Sequence, residues 1–180
     1  MKILKYLLFL VIGIITLVLV AALFVKKEYE VQREVVIQKP RQEVYDYIKY
    51  LRNQDNFSKW ANMDPAMKKG YKGTDGEVGF VSAWESNKSD VGQGEQEIKK
   101  MEEGKRVDTE LRFIKPIEST SAAYMSVEDY QGIYSKVKWH FTGKMSYPLN
   151  LMILMNLEKS IGADLQTGLN NLKVIMEGKK

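Results

Sequence analysis

At 180 residues, with 44% hydrophobic and 28% charged side chains, the chain is long enough for one domain with a buried core and too apolar to be disordered. Its 27 basic residues are scattered among 23 acidic ones, for a net charge of +4, so no basic stripe points to nucleic acid. There is no cysteine and one histidine, His140, which excludes disulfides, thiolate metal sites and a cysteine nucleophile, and removes the ligands of a His-rich zinc or iron centre. No metal and no cofactor are expected.

Residues 3–25 read ILKYLLFLVIGIITLVLVAALFV. Only Lys5 is charged, and from Tyr6 to Val25 about 20 uncharged residues suffice to cross a hydrocarbon core of roughly 30 Å as a helix. Val20-Ala21-Ala22 fits the small-residue pattern of a signal cleavage site. The apolar run, however, exceeds the roughly 7–15 residues of a signal h-region. An uncleaved single-pass transmembrane anchor over 3–25 is the expectation. Lys2 and Lys5 precede the span while Lys26, Lys27 and Arg33 come after it, so the positive-inside rule does not separate the two orientations. The signal-like start favours an extracytoplasmic position for the remainder of the chain.

Residues 28–178 read as one domain. EYEVQREVVIQ (28–38) is rich in β-branched residues and predicts a first strand, broken by Lys39-Pro40. From Arg41 to about Phe57, Val44, Tyr45, Ile48 and Leu51 are spaced as on one helix face, with an interruption expected at Asn53–Asn56. The stretch 70–79, GYKGTDGEVG, has glycine at every third position. It lacks the proline of a collagen repeat and the Gly-Lys-Ser/Thr of a P-loop, so Asp75-Gly76 reads as a turn leading into a strand at Val78–Trp84. In that strand Val78, Phe80, Ser82 and Trp84 share one side.

Further on, Val107, Thr109, Leu111 and Phe113 alternate with Asp108, Glu110 and Arg112, and Ser135, Val137, Trp139 and Phe141 alternate with Lys136, Lys138, His140 and Thr142. Period-two alternation with one polar face predicts an antiparallel sheet covered on one side. Turn signals at Ser86-Asn87, Glu103-Gly104, Lys115-Pro116 and Gln131-Gly132 separate the strands. From Pro148 to Met176, Leu151, Leu154, Ile161, Leu165, Leu169, Leu172 and Ile175 fall at helical spacing and predict one amphipathic helix of roughly seven turns. A sheet with one apolar face and a helix with one apolar stripe must cover each other.

The segments VYDYIKYLRNQDNFSKW, DPAMKKGYKGTDGEVG, AWESNKSDVGQGEQEI, LRFIKPIESTSAAYMSVE and IGADLQTGLNNLK resemble, in order, those of the SRPBCC superfamily, the START-like and Bet v 1-like proteins, and within it the polyketide cyclase/dehydrase-like group. The resemblance spans about residues 30–176 and implies an α+β helix-grip fold, with a curved antiparallel sheet wrapped around a long C-terminal helix. Such domains enclose an apolar cavity between sheet and helix. Members bind lipids, hormones and aromatic natural products, and some are cyclases or hydrolases, so the fold alone does not decide the function. The resemblance also implies that the glycine-rich stretch is a lip near one end of the cavity.

On this fold the aromatic residues Trp60, Phe80, Trp84, Phe113, Tyr124, Trp139 and Phe141, with Met155 and Ile161 from the helix region, are the candidates for lining the cavity. Simple core packing is the competing role for each. Met145, Met152 and Met155 gather where the helix begins, as core filler or a pliable entrance. No catalytic residue stands out. His140 is in phase with Lys136 and Lys138 and belongs to the polar face, as do Asp108, Glu110, Glu95 and Glu97; Arg112 and Glu118 flank a hairpin at the surface. The leading expectation is a membrane-tethered domain binding a hydrophobic small molecule or lipid. The alternatives are a cyclase- or hydrolase-type enzyme on an aromatic or polyketide-like substrate, which requires titratable groups converging in the cavity, and a non-catalytic interaction scaffold that uses its outer sheet face, which requires a packed interior and an exposed apolar patch.

Overall fold

A computed structural model describes residues 2–178. In chain order the elements are α1 (Lys2–Ala22), β1 (Glu28–Ile37), α2 (Arg41–Ile48), α3 (Gln54–Phe57), β2 (Lys68–Lys72), β3 (Val81–Glu85), β4 (Gln93–Glu102), β5 (Arg106–Lys115), β6 (Ser119–Tyr130), β7 (Tyr134–Lys144) and α4 (Leu157–Glu177). The strands form one seven-stranded antiparallel sheet in the order β1-β7-β6-β5-β4-β3-β2. Only β1 is out of sequence, paired along its whole length with the last strand. The sheet curls around α4, with α2 and α3 closing the gap beside it. This is the helix-grip architecture.

The alternation read from the sequence explains which face is covered. Val107 and Thr109 of β5, Met125 and Val127 of β6, and Val137 and Trp139 of β7 are buried. From α4, Leu165, Leu169 and Leu172 supply the facing stripe, one or two turns apart. Val44, Tyr45 and Ile48 of α2 join them.

Register divides the sheet into two ends. Glu28 lies opposite Lys144, Phe113 opposite Ser119, Gln93 opposite Lys115, Glu85 opposite Gln93, and Lys68 opposite Glu85. These residues mark the near end, where the chain arrives from α1. The far end carries the turns at 73–80, 103–105 and 131–133. Core residues such as Ile37, Ile48, Ile98, Val127, Val137 and Leu172 fill the far half solidly.

Over Ile3–Ala22, α1 is long and apolar enough to cross a membrane, and up to Ala21 its residues are exposed, with Ala22 alone covered by the rest of the protein. Its exit is clamped to the domain. The Asn150 side-chain amide, completely buried, donates to Ala22 O at 2.7 Å and to Val25 O at 3.0 Å, taking up carbonyls that a helix end leaves without partners. Met145 N then donates to Lys27 O at 2.8 Å, continuing the β1–β7 ladder up to the clamp.

Four local expectations need correction. The break after α2 falls at Lys49-Tyr50, not Asn53–Asn56, because Tyr50 is extended while 54–57 is helical. The helix predicted from Pro148 is two pieces: Leu149–Leu154 is a 3-10 segment, Asn156 turns left-handed (φ 61°), and α4 starts only at Leu157. β3 starts at Val81 rather than Val78, since Gly79 has φ 90° and leaves Val78 exposed. The glycine stretch belongs partly to β2 and otherwise forms a far-end turn, where Asp75 accepts hydrogen bonds from Leu51 N (2.8 Å) and Arg52 N (3.2 Å). It is therefore no lip of a cavity that opens at the near end.

Leu169 is wholly buried in the solid half and does not line the cavity. Leu169→Ala is expected to lower stability by about 2–5 kcal/mol, read as a shift of the chemical denaturation midpoint in detergent.

Candidate functional site

The near half of the grip is hollow. A cavity of about 660 Å³ lies between the sheet, α3 and the first turns of α4, within the roughly 300–1,000 Å³ of small-molecule sites. Its origin is legible along β6. The inward positions there run Val127, Met125, Ala123, Ser121, Ser119 from far end to near end, so side-chain volume falls away as the strand approaches the mouth. On β3 the inward position Ser82 is also small. A space of this size is not a packing defect. At roughly 24 cal/mol per Å³ a dry void of this volume would forfeit about 16 kcal/mol, more than the roughly 5–15 kcal/mol that holds an ordinary domain together.

Aromatic rings build the walls. Trp139 meets Phe57 edge-on at 5.6 Å and Trp60 at 6.2 Å, while Trp84 meets Phe113 edge-on at 5.9 Å, geometries that the ring quadrupoles favour. Two glycines make room for them. A Cβ on Gly168 of α4 would come within 2.7 Å of the Trp139 ring, and one on Gly94 within 2.6 Å of both the Trp84 ring and Arg112 O. Tyr29 lies against Phe141 at 6.2 Å. Burial pushes its phenol above the usual value, so at neutral pH it offers the cavity a neutral hydroxyl.

The polar groups sort by depth. Inside are the hydroxyls of Ser58, Ser82 and Ser121 and the amide of Gln96, which donates to Thr109 Oγ1 at 3.0 Å. At the exposed rim are Asp90, Lys115, Glu118 and Lys144, beside Ile117 and Leu149. Asp55 and Lys69, paired with each other at 2.7 Å, sit on the α3 side. The exposed residues of β7's end, of the loop before β4 and of the β5–β6 hairpin place the mouth at the near end. Among the described residues no cluster of His, Asp and Glu could hold a metal ion.

Trp60, Trp84, Phe113, Trp139, Phe141 and Ile161 line this cavity. The other three candidates lie elsewhere. Phe80 is buried at the far end, stacked on Tyr71 at 6.1 Å, because the turn at Gly79 delivers it to the solid core. Tyr124 is on the outer face, where the pleat puts every residue between Ala123 and Met125; it stacks on His140 at 4.6 Å, with the Arg106 guanidinium 3.6 Å from its ring. Met155 precedes α4 and is 77% exposed. His140 occupies the polar face with Glu30 at 3.7 Å. Sequence reasoning overlooked Ser119, Ser121 and Ala123. Their signal was present in STSAAYMSV, a strand whose inward positions lose their bulk over four residues.

The outer face carries the strongest charge cluster. Arg112 donates to Glu95 at 2.6 Å, Glu97 at 2.7 Å and Glu110 at 2.5 Å. Its hydrogen bond, followed by that of Lys99, holds the Glu97 carboxyl below its ordinary value of 4.5. A depressed folded value gives stability that is present above the unfolded value and is lost as pH falls through the folded one. Arg112→Gln should therefore destabilise the protein at pH 7, and the gap from the unmodified chain should narrow below about pH 4.5, compared by urea midpoints at pH 7 and pH 3.

No family model matches the sequence, and no curated protein matches it. Solved structures do. The chain is similar to Ara h 8.0201 at 13% identity (TM-score 0.57, covering 84% of this chain and 99% of that one). It is similar to protein MLL2253 from Mesorhizobium loti at 12% identity (TM-score 0.58, 84% and 99%), and to a protein from Nitrosospira multiformis at 15% identity (TM-score 0.56, 84% and 100%). At these identities the likeness shows the fold, a Bet v 1-like helix-grip, and no more.

Proposed function

We propose that this protein is a membrane-tethered binding domain for a hydrophobic small molecule or lipid, held in the cavity between the sheet and α4. The observation that carries the reading is the segregation of polarity in the cavity. Its depth is formed by Trp60, Trp139, Phe113, Phe141, Leu111 and Leu165 with a few neutral hydroxyl and amide groups, and its charges are those of the exposed rim and of the mutually paired Asp55 and Lys69 on the α3 side. This suits apolar burial, worth roughly 25 cal/mol per Å² removed from water, with isolated polar anchors to orient the occupant. A cyclase or hydrolase would need an acid and a base meeting over a substrate, and the charged groups that line this cavity are those of the exposed rim and Asp55 with Lys69, which are paired with each other at 2.7 Å. An interaction scaffold would have little use for a hollow interior. In this reading α1 is a single-pass anchor, and the domain stands on the extracytoplasmic side that a signal-like N-terminus favours.

The test is uptake of 1-N-phenylnaphthylamine, which fluoresces in apolar surroundings, by the full chain in detergent. Saturable uptake is expected, with lipid co-purifying in native mass spectrometry. Ala123→Phe projects a ring into the cavity and is expected to weaken uptake by about tenfold, or roughly 1.4 kcal/mol, with an unchanged circular dichroism spectrum. Uptake that is not saturable, or that Ala123→Phe leaves untouched, refutes the reading.

A further inference from the structure

Among the described residues, the exposed large apolar side chains outside α1 are unevenly distributed. Nine of the fifteen (Leu23, Phe24, Ile114, Ile117, Tyr147, Leu149, Met152, Leu154 and Met155) belong to the α1 exit, the β5–β6 hairpin or the 3-10 segment, all near-end features. The other six are spread over the far end, the surface below it and the tail of α4. Several of the nine are far too exposed to be core residues: Phe24 is 86% exposed, Leu154 67% and Ile117 51%. Ile117 and Leu149 are at once part of this surface and part of the cavity wall.

This surface stands next to the end of α1 through fixed contacts. Only residues 23–27 separate α1 from β1. Asn150, at the start of the 3-10 segment, holds Ala22 O and Val25 O, and Met145 N holds Lys27 O. A flexible tether would let the domain tumble away from the plane in which α1 ends; this clamp prevents it. Lys26, Lys27, Lys115 and Lys144 are exposed at the same end, with Glu28 3.4 Å from Lys144 and with Asp90 and Glu118 at the rim; the ammonium groups can reach lipid phosphates while their stems stay among apolar groups, and the carboxylates remain at headgroup level. Tyr147 adds an aromatic residue of the kind enriched at membrane interfaces.

We propose that the near end is a membrane-seated surface: Phe24, Ile117, Met152, Leu154 and Met155 rest in the lipid interface, and the cavity mouth opens into the bilayer rather than into water. The inference rests on the reading of α1 as a membrane anchor and deepens it, since it makes the bilayer the source of the cavity's occupant. Met152 and Met155, unbranched and polarizable, suit contact with a surface that has no fixed shape.

Because the chain has no cysteine, single nitroxide labels can be placed without background. Leu154→Cys, Met155→Cys and Ile117→Cys test the surface, with Leu10→Cys inside α1 and Ile133→Cys at the far end as references. Each full-length variant is labelled, reconstituted into phosphatidylcholine/phosphatidylglycerol vesicles, and its spin relaxation compared with oxygen, which concentrates in lipid, and with a water-soluble nickel chelate. Labels at 117, 154 and 155 are expected to favour oxygen as the label at 10 does, while the label at 133 favours nickel. Labels at 117, 154 and 155 that favour nickel while that at 10 favours oxygen overturn the membrane-seated surface and leave the anchor standing. A label at 10 that favours nickel overturns the anchor itself. Labels at 154 and 155 shielded from both reagents and broadened by a neighbouring spin show that a second copy covers the surface, which also overturns the proposal.

Discussion

Trp139 pressed into the notch at Gly168 is the contact on which the rest of the structure depends. It joins the sheet to α4, and through Phe57 and Trp60 it joins both to α3 and the segment behind it. It also stands at the divide, counted among the core residues and among the cavity walls alike. On its far side Val107, Met125, Val127 and Val137 point inward and fill the grip. On its near side β6 offers Ala123, Ser121 and Ser119, and the helix is held off the sheet with space beneath it. A single large ring packed against a residue without a side chain therefore sets both the closeness of the helix and the place where closeness ends.

The division into a filled and a hollow half has an energetic logic. The solid half supplies the apolar burial on which stability rests: Ile37, Val44, Ile48, Ile98, Val137 and Leu172 are among its shielded members. The hollow half contributes less packing and is framed instead by aromatic edges and by the β-ladder. The outer face adds the Arg112 cluster, which ties β4 to β5 directly behind the cavity wall. The thinned wall is thus braced from outside by charge-assisted hydrogen bonds, in a solvated position where charges cost little to keep.

Much of the fold was legible in the chain because alternation and turn chemistry are local. The strands containing Val107–Phe113 and Ser135–Phe141 have the expected inward residues, since a pleat turns every second side chain to the same face whatever it packs against. The errors arose where a local pattern met a backbone event it does not encode. Leu151 and Leu154 kept helical spacing across Asn156, but a left-handed residue there ends one helical path and starts another. Phe80 kept strand phase with Trp84, but Gly79 turns the chain between solid core and sheet. β2, KKGYK, was missed because an exposed edge strand has no buried face to leave a hydrophobic signature.

The sequence by itself determined an apolar N-terminal helix, a one-faced antiparallel sheet, an amphipathic helix to cover it, and the absence of cysteine chemistry, because each is set by residue type and short-range period. Only the tertiary structure decided where the grip is hollow, that the mouth lies at the end where α1 arrives, and that Asn150 fastens that arrival to the domain. The physical reason is distance along the chain. The small residues of β6, the glycines beneath Trp84 and Trp139, and the carbonyls at the end of α1 acquire their meaning from partners ten to more than a hundred residues away, and no local period records what a side chain will find across a cavity.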